Sequence, residues 1–188
     1  MNTTHDAHGM SSVNFDKWLF ATMLTVAMGV FLTVLVGWGS VFSAAIVLWL
    51  TTSLFSSWAQ ISIIQSAVPI QVTRWRGYLA VSSIIGWTVS FLVVYRLGQP
   101  MAFWINSAIN SARWGNVVGA GFFVGMIVGL FPGVFIGLAY WWLTRPDDSA
   151  KRLLVNSVIG WGFGMGFGFT IVIIIVYLFL SHMSLTIF

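Results

Sequence analysis

Five stretches of apolar residues, each free of Asp, Glu, Lys, Arg and His, occupy residues 18–38, 41–65, 78–95, 117–143 and 153–180. A helix needs about 20 such residues to cross the hydrocarbon layer of a bilayer. Backbone N–H and C=O groups find no water there, so each stretch must satisfy them internally as a helix. The pattern predicts an all-α, polytopic membrane helix bundle, with residues 18–188 as one transmembrane domain and residues 1–17 as a polar N-terminal tail.

The basic residues between these stretches indicate how the bundle is oriented. Alternation of the five spans places six Lys and Arg residues on one side and two on the other: Lys17, Arg74, Arg76, Arg145, Lys151 and Arg152 against Arg96 and Arg113. Short loops that are rich in Lys and Arg stay in the cytoplasm. We therefore expect a cytoplasmic N-terminus and a C-terminus on the outside.

The segment between the third and fourth stretches has a helical pattern of its own. Its apolar residues recur at a spacing of three or four, at Met101, Trp104, Ile105, Ala108, Ile109 and Ala112. Asn and Ser fill the opposite side, and an amphipathic helix of this kind lies flat at a membrane surface. Residues 100–114 are thus predicted to form a short outer interfacial helix.

Tryptophan and tyrosine cluster near the ends of the predicted spans. Trp18, Trp75 and Tyr140 fall near the cytoplasmic ends, and Tyr95 and Trp114 fall near the outer ends. Amphipathic rings favour the headgroup level of a bilayer. These residues are therefore predicted to lie at its two interfaces.

Composition narrows the class of function. The chain is only 6% charged, against about 25% for a soluble domain, which excludes a water-soluble globule and a nucleic-acid binder. It has no Cys, which excludes disulfides and thiolate metal sites. Proton relays and ion-coupled transporters use ionisable groups inside the membrane, and the five spans contain none. We expect a protein that is not an enzyme.

Two copies of a five-residue motif indicate an internal repeat. Ser83-Ile-Ile-Gly-Trp87 matches Ser157-Val-Ile-Gly-Trp161 at four of five positions. The second and third spans would then form one helical hairpin, and the fourth and fifth spans another. The two hairpins run in the same direction, as a parallel repeat, with the first span as an addition.

The surroundings of this motif carry a family resemblance. Trp58-Ala-Gln60 and Tyr140-Trp-Trp142, each followed by a basic loop and Ser-x-x-Gly-Trp, resemble a repeated hairpin of uncharacterised small multi-pass membrane proteins of cyanobacteria and Chloroflexi. The resemblance covers residues 55–87 and 135–168, and the second copy lacks the Gln. It implies a location in a bacterial inner membrane or a thylakoid-type membrane, and it indicates no particular activity.

Glycines in the last two spans are the most specific feature of the chain. They are Gly121, Gly125, Gly129, Gly133 and Gly137 in the fourth span and Gly160, Gly162, Gly164, Gly166 and Gly168 in the fifth. The alternation in the fifth span leaves two of its faces bare. Helices in a membrane associate through close backbone contact, which glycine permits. One bare face fits the fourth span, and we expect the second to need a neighbouring subunit, a lipid or a flat pigment ring.

A polar stripe runs along the second span and consists of Thr52, Ser53, Ser56, Ser57 and Gln60. Across the predicted hairpin, the hydroxyls of the third span can pair with it: Ser82, Ser83, Thr88 and Ser90. Hydrogen bonds of this kind stabilise a hairpin without requiring a function. A hydrated path for a solute is the alternative interpretation.

These features favour a non-enzymatic integral membrane subunit that packs through its glycine-rich helices into a larger assembly, such as a bacterial energy-transducing or photosynthetic complex. The expected partners are membrane lipid, other membrane subunits or further copies of the chain. The alternative is a small oligomeric channel or facilitator for an ion or an uncharged solute. No motif indicates a cofactor or a metal site. His182, beyond the fifth span, is the candidate ligand for a haem or a pigment.

Overall fold

The computed structural model describes residues 14–36, 41–66, 72–111, 113–144 and 149–185. Regular structure in these ranges is entirely helical and comprises α1 (Phe15–Val36), α2 (Val41–Gln65), α3 (Val72–Asn110), α4 (Trp114–Thr144) and α5 (Ser149–Leu185). All five helices are long and apolar enough to cross a membrane. The prediction of an all-α chain with five such helices is confirmed.

Helix α1 begins before the predicted span because Asn14 caps it. The side-chain Oδ1 of Asn14 accepts a hydrogen bond of 2.9 Å from the backbone N–H of Lys17. A cap of this kind satisfies one of the free N–H groups at a helix start. The end of the predicted polar tail therefore belongs to the first turn of α1, and the first 13 residues of the tail lie outside the described part of the chain.

Helix α3 is longer than predicted. It continues without a break through Pro100 to Asn110. Residues 100–110 of the segment predicted as a separate interfacial helix at residues 100–114 are therefore the C-terminal part of α3. A single Pro removes one backbone donor and bends a helix more readily than it ends one. Met101 and Ala108 are buried as the apolar pattern predicts, whereas Trp104 is exposed.

The helices pack side by side in the order α2, α1, α5, α4 and α3. Helices α4 and α5 form the most extensive contact, and α1 lies between α2 and α5. Helices α2 and α3 touch only sparsely. The two hairpins of the predicted repeat are therefore packed differently, one closed and one open, and the duplication stays a prediction.

An aromatic cluster marks the end of the bundle at which α1 begins. The ring of Tyr140 lies edge-on to Trp18, with centroids 5.6 Å apart, and 5.7 Å from the ring of Trp75. All three side chains are buried, because the helices turn them towards one another. Their location at the cytoplasmic interface stays a prediction. We call this end the basic end, since its helix termini carry Lys17, Arg74, Arg76, Lys151 and Arg152.

Candidate functional site

The bare face of α4 lies against α5 along its length. A Cβ atom added at Gly121 would come within 2.9 Å of Thr170 Cα, and one added at Gly133 within 3.0 Å of the Ser157 carbonyl oxygen. Gly125, Gly129 and Gly137 likewise face Met165, Trp161 and Leu154. The five glycines let the two helices touch backbone to backbone.

One bare face of α5 lies against α1. It is formed by Gly160, Gly164 and Gly168. A Cβ atom added at Gly160 would lie 2.9 Å from Thr22 Cγ2, and one added at Gly168 would lie 2.7 Å from Val30 Cβ. Large side chains at these positions would push α1 away from α5.

The other bare face of α5 lies against α4. An added Cβ would lie 2.9 Å from Phe122 Cδ2 at Gly166, and 3.8 Å from Leu130 Cδ2 at Gly162. Both faces are thus covered by helices of the same chain. The expectation that the second face needs a neighbouring subunit, a lipid or a pigment was wrong, because α1 inserts between α2 and α5 and fills that place.

The two tryptophans of the repeated motif meet inside the bundle. Trp87 of α3 and Trp161 of α5 are both buried and pack edge to face, with ring centroids 6.2 Å apart. The glycine before Trp87 also lies at a close helix contact, because a Cβ atom added at Gly86 would lie 2.7 Å from Pro132 Cα. The sequence shows the two copies of the motif, but the spacing of their residues does not indicate that the copies touch.

A buried hydrogen-bond chain joins three helices near the basic end. The Tyr140 hydroxyl of α4 donates to Gln60 Oε1 of α2 at 2.7 Å, and the Gln60 amide donates to Thr22 Oγ1 of α1 at 2.9 Å. The Thr22 hydroxyl donates in turn to the carbonyl oxygen of Trp18 at 2.8 Å. Because a buried amide is costly unless it is hydrogen-bonded, this chain explains how Gln60 is accommodated in the core.

The polar stripe of α2 divides between two surfaces. Thr52, Ser56 and Gln60 are fully buried, and the Thr52 hydroxyl donates to a carbonyl of its own helix at 2.6 Å. Ser53 and Ser57 line an opening towards α3 instead. The stripe therefore does not line a single continuous path.

The hydroxyls of α3 that were expected to pair with this stripe are also divided. Ser83 Oγ lies 2.5 Å from Ser53 Oγ and accepts a hydrogen bond of 3.3 Å from Trp49 Nε1. Thr88 donates to a carbonyl of its own helix, and Ser90 donates to a carbonyl of α4 at 2.8 Å. The predicted pairing is thus confirmed at Ser83, whereas Ser90 joins α3 to α4.

An open groove of about 840 Å³ lies between α2 and α3. We call it the seam, and it is lined by residues of α2 between Trp49 and Gln65 and by residues of α3 between Arg76 and Ile84. Its volume is in the range of small-molecule sites, which is about 300–1,000 Å³. The seam is therefore a candidate binding site.

The chemistry of the seam changes along its length. Arg76 and Gln65 lie towards the basic end, near the start of α3 and the end of α2. Aromatic and aliphatic side chains, among them Phe55 and Trp58, form most of the wall. The Ser53–Ser83 pair joins the two helices towards the other end. A molecule in the seam would meet a cation at one end and an apolar wall beyond it.

The sequence contains a signal for the seam that was not recognised. Arg76, Ala80, Ser83 and Ile84 follow one another at spacings of four, three and one, so they share one face of α3. The cation is the signal, because an Arg on a membrane helix faces a polar group, a cavity or the interface. That signal does not show which helix stands opposite.

The candidates for metal or pigment binding fall largely outside this region. Among the described residues, no group of three or more His, Cys, Asp or Glu side chains lies together in a way that could hold a metal ion. The side chain of His182 lies outside the described part of the structure. Neither observation adds a metal or pigment ligand to the seam.

No family model, no curated protein and no solved structure matches this chain. The resemblance to small multi-pass bacterial membrane proteins stays a prediction, and function has to be inferred from the geometry.

Proposed function

We propose that this chain is a non-enzymatic integral membrane protein that holds a membrane amphiphile in the seam between α2 and α3. The observation that carries the proposal is the seam itself, which has a largely apolar wall and one charged end. Lipid tails fill any open groove between helices in a bilayer, and the polar groups at one end favour a molecule that also has a polar head.

The placement in a membrane is part of this proposal. Five helices have the length and hydropathy of membrane spans. The basic end would face the cytoplasm, as the excess of Lys and Arg there favours. Arg76 would then lie at the cytoplasmic headgroup level, and the apolar part of the seam would lie within that leaflet.

Membership of a larger assembly is the second candidate function. The glycine faces no longer support it, since α1 and α4 cover them. The exposure of α2 favours it instead, because only 22% of its most apolar stretch is buried, close to the 28% of α1 and of α3 and below the 50% of α4 and of α5. A helix of another membrane subunit, or of a second copy, would then occupy the seam in place of the amphiphile.

A tryptophan placed in the seam tests the proposal. Ala80 lines the seam, whereas its neighbour Val81 is exposed on another face of α3. The Ala80→Trp variant would fill the groove, and Val81→Trp adds the same side chain outside it. After purification in a mild detergent, native mass spectrometry should show an amphiphile on the wild-type chain and on Val81→Trp, with most of it lost from Ala80→Trp.

Two results would overturn the proposal: a wild-type chain that carries no amphiphile, and an Ala80→Trp variant that carries as much as the wild type. If a membrane protein co-purifies with the wild type and is lost from Ala80→Trp alone, the second candidate replaces the first. Thermal unfolding of both variants checks that each is folded.

A further inference from the structure

Among the described residues that line the seam, Arg76 is the one with a charged side chain. It shares this face of α3 with Ala80 and Ser83. The nearby Arg74 lies over the ring of Tyr78, 5.8 Å from its centroid, and does not line the seam. The two arginines therefore offer a matched pair at nearly the same depth, one inside the seam and one outside it.

Neither helix of the seam supplies a carboxylate to balance this charge. The residues of α2 and α3 include no Asp and no Glu. The four acidic residues of the chain are Asp6, Asp16, Asp147 and Asp148, all in other segments. The two helices thus offer a cation to a ligand. They offer no carboxylate that could bind a cationic group of that ligand.

The donors at this end suit an anionic oxygen. A guanidinium binds phosphate oxygens through paired N–H groups, and hydrogen bonds to a charged partner are stronger than neutral ones. The amide of Gln65, which also lines the seam, can add a further N–H donor. A phosphate group would suit these two side chains, since it offers several anionic oxygens to their N–H donors.

The rest of the seam has the length of a lipid tail. Between Gln65 and Ser53, where the Ser53–Ser83 pair joins the two helices, the lining residues of α2 span about 18 Å along a helix. One leaflet of hydrocarbon is about 15 Å thick. The seam can therefore receive a headgroup at Arg76 and an acyl chain of the same leaflet along its apolar wall.

We infer that the seam binds a phospholipid with a net negative headgroup, its phosphate at Arg76 and Gln65 and an acyl chain along α2. This inference rests on the proposed function and adds the class of the ligand. A zwitterionic lipid also has a phosphate, but its ammonium group would bring a positive charge close to Arg76, and α2 and α3 have no carboxylate to offset it. The preference for an anionic lipid is the property that distinguishes this site from a groove filled by any lipid.

The test compares Arg76→Gln with Arg74→Gln in the full-length chain. Each protein is reconstituted in vesicles of equal parts phosphatidylglycerol and phosphatidylcholine, extracted in a mild detergent, and analysed for bound lipid by native mass spectrometry. We expect the wild type and Arg74→Gln to retain phosphatidylglycerol over phosphatidylcholine by about tenfold, because the phosphate is common to both lipids and only phosphatidylcholine places a second positive charge near Arg76. The ratio should fall to near one in Arg76→Gln, and Arg76→Lys should restore part of it.

Equal retention of the two lipids by the wild type would overturn the inference, and so would an equal loss of preference in the two Gln variants. The Ala80→Trp variant separates this failure from that of the proposed function. If it loses bound lipid while the wild type shows no headgroup preference, the seam holds an amphiphile but does not select an anionic one. If it retains lipid unchanged, the proposed function itself fails.

Discussion

The two helix pairs that the sequence presents as copies of one hairpin differ in how closely they pack. Helices α4 and α5 touch backbone to backbone at a series of glycines. Helices α2 and α3 diverge and leave a groove of about 840 Å³. The side chains at the two contacts differ, since α4 presents Gly to α5, whereas α2 presents large residues such as Trp49 and Phe55 between its serines.

In the membrane that we propose for this chain, the contrast illustrates what brings helices together in an apolar solvent. Lipid tails are as apolar as leucine side chains, so burying a large apolar residue against another helix gains little there. Close backbone contact and shape fit have to supply the association instead. The pair with facing glycines therefore closes, whereas the pair without them stays open and is joined by hydrogen bonds at Ser83.

The largest effect should come from a methyl group added to the closed pair. A Cβ atom at Gly125 would overlap the Met165 carbonyl. Gly125→Ala should destabilise the fold by about 3 kcal/mol, near the upper end of the usual cost of overpacking. Gly119→Ala is the control on the same helix, since nothing lies within 4 Å of a Cβ there, and it should be neutral or stabilising. Unfolding by titration with SDS measures both.

A somewhat smaller effect is expected where α5 meets α1. At Gly164 an added Cβ would lie 2.8 Å from the Met23 carbonyl oxygen. Gly164→Ala should cost about 2 kcal/mol in the isolated monomer. Gly162→Ala is the control, because its Cβ would be in ordinary contact at 3.8 Å. If Gly164→Ala leaves the monomer unchanged and disrupts only a larger complex, α1 does not cover this face.

The buried hydrogen-bond chain should contribute less than the glycine contacts. Tyr140→Phe removes the hydroxyl that donates to Gln60 and leaves Gln60 Oε1 without that donor. The expected loss is about 1–2 kcal/mol, within the usual penalty for an unsatisfied buried group. Tyr78→Phe, at an exposed position near the same end, should have almost no effect in the same SDS titration. Equal effects of the two variants would contradict a role for the chain in stability.

The smallest effect is expected in the open pair. Ser53→Ala removes one hydroxyl of the Ser53–Ser83 pair, and hydrogen bonds between membrane helices contribute about 0.6 kcal/mol on average. Ser62→Ala is the control, since that hydroxyl donates within its own helix at 2.8 Å. A loss above about 2 kcal/mol for Ser53→Ala, as measured by thermal unfolding in detergent, would mean that α2 and α3 are joined more tightly than this hydroxyl pair implies.

The helical pattern predicted much of the fold but less of the candidate site. The second span was predicted at residues 41–65, the range that α2 occupies, whereas α3 and α5 extend beyond their apolar runs at both ends. Residues 100–114 were predicted as a separate interfacial helix, although α3 continues through Pro100 to Asn110, because the apolar spacing of a helix does not show whether it is joined to the one before. The seam was missed, since Arg76 and Ser83 acquire a common role only once α2 stands opposite them.

The amino-acid sequence by itself determined that this chain forms long apolar helices and that two of them have glycine faces. Both properties are local, because the backbone must bond within each helix and the helical period places residues four apart on one side. Only the tertiary structure decided that α1 covers the second glycine face and that α2 stands apart from α3. The choice of neighbour depends on how all five surfaces fit at once, and no periodicity within a single helix specifies it.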